Sequence, residues 1–230
     1  MKLKTAETRP IDLKGHTLLP GFIDAHGHMI NAGKNLIDAN LFNASSVADV
    51  QARMVAHAAT VPEGEWIVGL RPDQIVKMKE YGGVPSYLTS SLVSGGPGAL
   101  YLWGEERGNK VMAAATLAAA GMPFTFSHDA PISPEPWIMP LVDAGVNRTL
   151  KDGRVVGADE RVPPYLALKA VTAYAAWEIK EDTAKGTLEP GKLADLVILE
   201  ANPLKVDPKT IKDIAVLETI KEGTTVFTRK

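Results

Sequence analysis

Apolar and polar positions along this chain fall into short blocks, and the spacing within the blocks changes from one region to the next. Residues 11–25 carry brief apolar runs: Ile11-Asp12-Leu13, His16-Thr17-Leu18-Leu19 after a Lys14-Gly15 turn, and Phe22-Ile23-Asp24-Ala25 after Pro20-Gly21. Runs of this length between turn residues predict short strands, the last of them buried and ending at His26. Residues 45–60 predict a helix, with Ser45 or Ser46 as cap and Val47, Val50, Met54 and Val55 near helical spacing. Residues 65–70 (EWIVGL) predict a strand, and residues 72–81 a helix with Pro72 in its first turn and Gly82-Gly83 as its stop. A short strand is expected over 84–89 and a small, Gly/Ser-rich loop over 90–98. An Ala-rich helix follows over roughly 110–120, then a strand at Phe124–Phe126. The alternation of helix and strand predicts an α/β protein with a parallel sheet.

Beyond Asp129 the pattern changes. Pro131, Pro134, Pro136 and Pro140 predict a loop, and Pro163–Lys180 a helix with Leu166, Ala167, Ala170, Val171, Tyr174 and Ala175 along one face. The last 45 or so residues alternate turns with short β runs; Glu189-Pro190-Gly191-Lys192 is a turn and Leu196–Leu199 a buried strand. No fixed period recurs, which argues against a solenoid.

Composition narrows the function classes. The chain has 230 residues, 45% hydrophobic and 23% charged, enough for one large domain or two small ones. A net charge of −2 argues against a nucleic-acid or anionic-membrane partner. The absence of cysteine excludes disulfides, thiolate nucleophiles and Cys-held metals, so any metal falls to His, Asp, Glu or a modified Lys. No window approaches ~20 unbroken apolar residues, so no membrane-spanning helix is expected. Residues 1–10 lack an apolar signal core, and a cytoplasmic location is expected.

Two clusters carry candidate chemistry. In a strand, positions i and i+2 share a face, so His26 and His28 can reach one divalent ion, and Gly27 leaves room for it. Strand ends are where α/β folds place ligands. The second cluster is Ser127-His128-Asp129, just past a buried strand; Asp129 is placed to ligate a metal and to accept a proton from water. Two surface histidines near a turn, and an Asp that merely caps a loop, are the plain alternatives. Adjacent Ser, His and Asp do not make a hydrolase triad, whose members converge from separate segments. His16 reads as a structural histidine and His57 as a helix-surface one. The four tryptophans, Trp66, Trp103, Trp137 and Trp177, read as core or pocket wall. Glu105-Glu106 reads as exposed loop, and Gly95-Gly96-Pro97-Gly98 lacks phosphate-loop spacing.

Longer stretches carry a resemblance. TLLPGFIDAHGH resembles the first barrel strand of the amidohydrolase superfamily. GTLEPGKLADLVIL resembles the C-terminal segment by which those enzymes complete a small β-sandwich beside the barrel. FTFSHDAPISPEPW and VNRTLKDGRVVGADERVPPYLALKAVTAYAA resemble the branch that includes N-substituted formamide deformylases. The resemblance covers two blocks, about 11–70 and about 71–230. It implies a metal-dependent (β/α) barrel that hydrolyses amide or related non-peptide C–N bonds. By it His26 and His28 match the strand-one ligands, and Asp129 the strand-eight aspartate that ligates and shuttles protons. His128 and Trp103 are candidates for the substrate pocket. Zinc suits imidazole with carboxylate, and iron or manganese are alternatives.

The departures shape the expectation. The family's middle strands supply a bridging Lys or acidic residue and two further histidines, whereas only His57 lies between His28 and His128. A full barrel takes ~250 residues, and about 100 separate His28 from Asp129. The family has His-Ser-Asp where this chain has Ser127-His128-Asp129, a shift that reverses the face of the histidine on a strand. The expected architecture is therefore an incomplete TIM-like barrel over 21–186, with deleted middle strands, beside a composite sandwich of 1–20 and 187–230. Its exposed strand edges favour association with a second copy. Three classes stand open: a metal-dependent hydrolase of a small-molecule substrate, an internally deleted inactive relative, and a non-catalytic oligomerising or binding module.

Overall fold

A computed structural model describes residues 5, 6, 8, 10–26, 84–129 and 137–230, the side chain of Ser94 excepted. His28, His57, Trp66, the helices expected over 45–60 and 72–81 and the strand expected over 65–70 lie outside the described residues.

The chain folds as a mixed α/β protein with two sheets. Strand β1 (Thr17–Pro20) pairs antiparallel with β4 (Leu196–Leu199), which joins β5 (Val216–Lys221) and β6 (Thr224–Thr228) in the order β1-β4-β5-β6. Thr17 lies opposite Leu199 and Pro20 opposite Leu196, so the two ends of the sequence share one ladder. The buried apolar run of β4 falls where the sequence places it. Residues 11–13 are not a strand. Neither are residues 22–25: the Ile23 amide donates to the Val171 carbonyl (2.9 Å) and the Gly21 amide to the Asp195 carbonyl (2.7 Å). Tertiary contacts, rather than a ladder, satisfy the backbone there.

The second sheet holds β2 (Ser86–Leu88) parallel to β3 (Thr125–Ser127). A parallel pair needs a crossover, and here α1 (Thr89–Gly108) and α2 (Ala114–Ala119) supply it. Residues 90–98, expected as loop, are helical. The composition is poor for a helix, yet tertiary packing decides the matter: Leu92 is buried with Leu150 and Val156. A Cβ on Gly96 would meet a Leu150 methyl at 2.5 Å, so any larger residue there makes that side chain shift. The helix breaks at Gly104, whose φ of 73° is left-handed.

After β3, α3 (Ile138–Asn147) occupies the end of the segment expected as a proline-rich loop. Pro140 sits in its first turn, where a missing N–H costs nothing. The helix lies close against β3, because Gly145 leaves space for the Phe126 ring. The helix expected over 163–180 is two helices, α4 (Pro164–Ala170) and α5 (Ala173–Glu178). Thr172 bends the chain between them, its hydroxyl donating to the Leu168 carbonyl at 2.8 Å. One apolar cluster underlies both sheets: Phe124, Phe126, Leu117, Leu141 and Val142 are continuous with Val197, Leu199 and Ile211. Trp103, Trp137 and Trp177 are not core residues; they are 51%, 52% and 45% exposed. Among the described residues no helix is long and apolar enough to cross a membrane.

Candidate metal centre and its surroundings

β3 alternates its side chains across the sheet. Phe124 and Phe126 face the helices, Phe124 against Tyr174 with ring centroids 5.9 Å apart. Thr125 and Ser127 face the other way: the Thr125 hydroxyl donates to Ser86 Oγ at 2.9 Å, and the Ser127 hydroxyl to the Tyr87 carbonyl at 3.3 Å. The chain then leaves the strand through Asp129, whose φ of 52° is left-handed. Asp tolerates that conformation better than most residues, and such a backbone is a mark of positions held for function.

Asp129 is buried and draws the N-terminal segment to it. Its amide donates to the His26 carbonyl at 3.0 Å, and its Oδ1 lies 3.3 Å from His26 Nε2. Asp24 closes the junction: its Oδ1 accepts from the His128 amide at 3.0 Å and, more weakly, from the His26 amide at 3.4 Å. His26 and Asp129 are thus side by side although 103 residues apart in sequence.

The separation suits a shared cation. Two ligands each ~2.0–2.1 Å from a tetrahedral zinc stand about 3.3 Å apart. Among the described residues no group of three His, Cys, Asp or Glu surrounds one point; His28, the third expected ligand, lies outside them. His128 is 3% exposed and hidden beneath the start of α1, where Ser90 Oγ donates to its carbonyl at 2.9 Å. Trp103 sits just before the break at Gly104, half-exposed, and Glu105 and Glu106 follow the break in helical turns rather than in a loop. His16 is exposed, with Nδ1 3.4 Å from the Glu200 carbonyl oxygen.

Four residues near this centre were not among the expected site residues. Asp24 is one; its only signal is its place two residues before His26. Thr89 closes the run expected as a strand over 84–89, and Ser90 opens the stretch expected as a loop. Glu178, at the end of α5, is a further one, and nothing in its local sequence marks it. One of its carboxylate oxygens is buried without a hydrogen-bond partner. Burial pushes its carboxyl above the usual carboxylate range, while the Thr125 side chain and the His26 imidazole pull it the other way. A carboxyl raised on folding stabilises the fold at pH below its ordinary value, and that contribution is lost as pH rises through the raised one. Glu178→Gln is therefore expected to raise the melting temperature at neutral pH and to leave it unchanged near pH 4. An unpartnered buried polar group costs ~1–3 kcal/mol; with Glu178 only partly buried, about 1 kcal/mol or less, or ~2–4 °C, is expected. Thermal melts of the metal-free chain from acid to neutral pH check this, and a gain independent of pH counts against it.

The sequence model of the amidohydrolase family matches residues 9–71 and 68–227. The Bacillus subtilis (strain 168) protein YtcJ, described as an amidohydrolase, is 25% identical over 126 residues, 54% of this chain and 24% of its own length. An uncharacterized metal-dependent hydrolase from Pyrococcus furiosus shares 30% identity with a TM-score of 0.50, over 60% of this chain and 27% of the other. One from Pyrococcus horikoshii OT3 shares 25% identity with a TM-score of 0.52, over 70% and 33%. The chain spans about a quarter to a third of the length of these relatives.

Proposed function

The chain belongs to the amidohydrolase family, and on that premise we propose that it is a metal-dependent hydrolase of amide or related non-peptide C–N bonds in a small-molecule substrate. The observation that carries the reading is the 3.3 Å approach of His26 Nε2 to Asp129 Oδ1 from segments far apart in sequence. His26, His28 and Asp129 would hold one divalent ion, with zinc best suited to the donor set and iron or manganese as alternatives. Such an ion supplies Lewis acidity and lowers the pKa of water toward ~7.

The remaining chemistry falls to the protein. Asp129 accepts the proton of the attacking water and returns it to the leaving amine, a role its buried but His-paired carboxylate suits. Asp24 holds the two ligand segments in register through the His128 and His26 amides. The motifs around Ser127-His128-Asp129 support the formamide-deformylase branch, with His128 and Trp103 as pocket candidates. The two matched blocks meet at residues 68–71, and the short span between His28 and Asp129 supports a partial barrel over 21–186. The ladder joining β1 to β4 supports a small composite sandwich of 1–20 and 187–230. A cytoplasmic location completes the reading.

The test is metal content. Equilibrium dialysis against zinc should give one ion per chain, and His26→Ala should weaken binding ~100-fold or more while the far-ultraviolet spectrum is unchanged. Wild-type affinity in His26→Ala overturns the assignment.

A further inference from the structure

We propose that the N-terminal end of α1, with Thr89 and His128, forms a subsite for a carboxylate group carried by the substrate, next to Asp129. Thr89 is the first residue of the helix and is 2% exposed, and its hydroxyl has no hydrogen-bond partner. His128 is 3% exposed, and its Nδ1 has none either. Native proteins seldom bury such groups unpaired, and here two occur at one helix end. Ser90 Oγ fastens that end to the His128 carbonyl at 2.9 Å. The helix start carries no side-chain cap and no acidic residue in its first turn. Its dipole end is positive and favours an anion.

The chemistry selects the ligand. A hydroxyl and an imidazole nitrogen offer one contact to each oxygen of a carboxylate, and the helix end supplies the balancing field. A neutral amide would gain less from that field. The His128 amide is held by Asp24, and the next residue is Asp129. A carboxylate seated here therefore places the neighbouring part of the molecule at the His26–Asp129 pair. The assignment rests on the hydrolase reading for the role of the bound group, but the subsite itself is testable without metal.

Sodium acetate is the probe, titrated into the chelator-treated chain and followed by amide chemical shifts, with sodium chloride at equal ionic strength as control. Saturable shifts at Thr89, Ser90 and His128 are expected. Thr89→Val should weaken acetate binding at least tenfold without lowering the melting temperature, since it removes an unpaired hydroxyl at constant shape. Thr89→Ser should retain the affinity within about threefold. His128→Phe gives an independent loss should Thr89→Val fail to fold. No saturable shift in the parent chain, or unchanged affinity in Thr89→Val and His128→Phe, overturns the proposal. Tighter binding of inorganic phosphate through the same residues overturns the carboxylate assignment. Failure of the chain to bind zinc overturns the hydrolase reading and leaves this titration standing.

Discussion

Asp129→Asn is expected to lower hydrolysis ~10²–10⁴-fold, the usual contribution of a positioned general base, while fold and metal content persist. The substitution is clean for structural reasons. Asp129 is 3% exposed with a left-handed backbone, which Asn adopts as readily as Asp. Its amide bond to the His26 carbonyl does not involve the side chain. Asn keeps an oxygen toward His26 and the ion but loses the negative charge, and with it the capacity to take a proton. The check is turnover on a panel of N-acyl and N-formyl amines, with metal content measured on the same samples. Turnover within twofold of the parent chain removes Asp129 from the chemistry.

Arg148→Met carries the largest expected cost in stability. Arg148 is 1% exposed, and its guanidinium donates to three carbonyls: Val156 (2.8 Å), Met112 (3.0 Å) and Val111 (2.6 Å). Burial pulls its pKa down to about 10, and the nearby Glu160 carboxylate opposes that shift. Glu160, also 1% exposed, accepts from the Thr116 amide at 2.9 Å, the Thr116 hydroxyl at 2.6 Å and Lys110 Nζ at 3.4 Å. Methionine fills the volume but strands the three carbonyls and removes the buried positive charge near Glu160, whose ion pair with Lys110 remains. Removing one partner of such a network costs ~3–5 kcal/mol, a large part of the ~5–15 kcal/mol that holds an ordinary domain together. Arg148→Lys should recover little, because an ammonium cannot span the same fork of acceptors. Urea denaturation measures the loss, and a midpoint shift worth under ~1 kcal/mol refutes the account.

Both predictions depend on contacts between distant segments, and this marks how far the sequence was legible. β4 is where its apolar run and flanking turn place it, because a short buried strand needs only its own composition and its ends. β2 likewise falls within its expected run, and β3 overlaps its own but is displaced by one residue. Residues 90–98 do not: their glycines, serines and proline oppose a helix, and only packing of Leu92 with Leu150 and Val156 secures one. The break after Val171 is equally invisible along the chain. It leaves the Val171 carbonyl to accept the Ile23 amide, which anchors the segment leading to His26.

The sequence by itself determined the candidate ligands His26, His28 and Asp129, the mixed α/β class and the short terminal β runs. Residue type, spacing and local period suffice for these. It also excluded cysteine chemistry outright. Only the tertiary structure decided that His26 meets Asp129, that Asp24 ties their segments together, and that Thr89 and His128 lie buried and unpaired at one helix end. Each of these is a relation between segments remote in sequence. Such relations are set by burial and hydrogen-bond satisfaction across the whole chain, which no local pattern encodes.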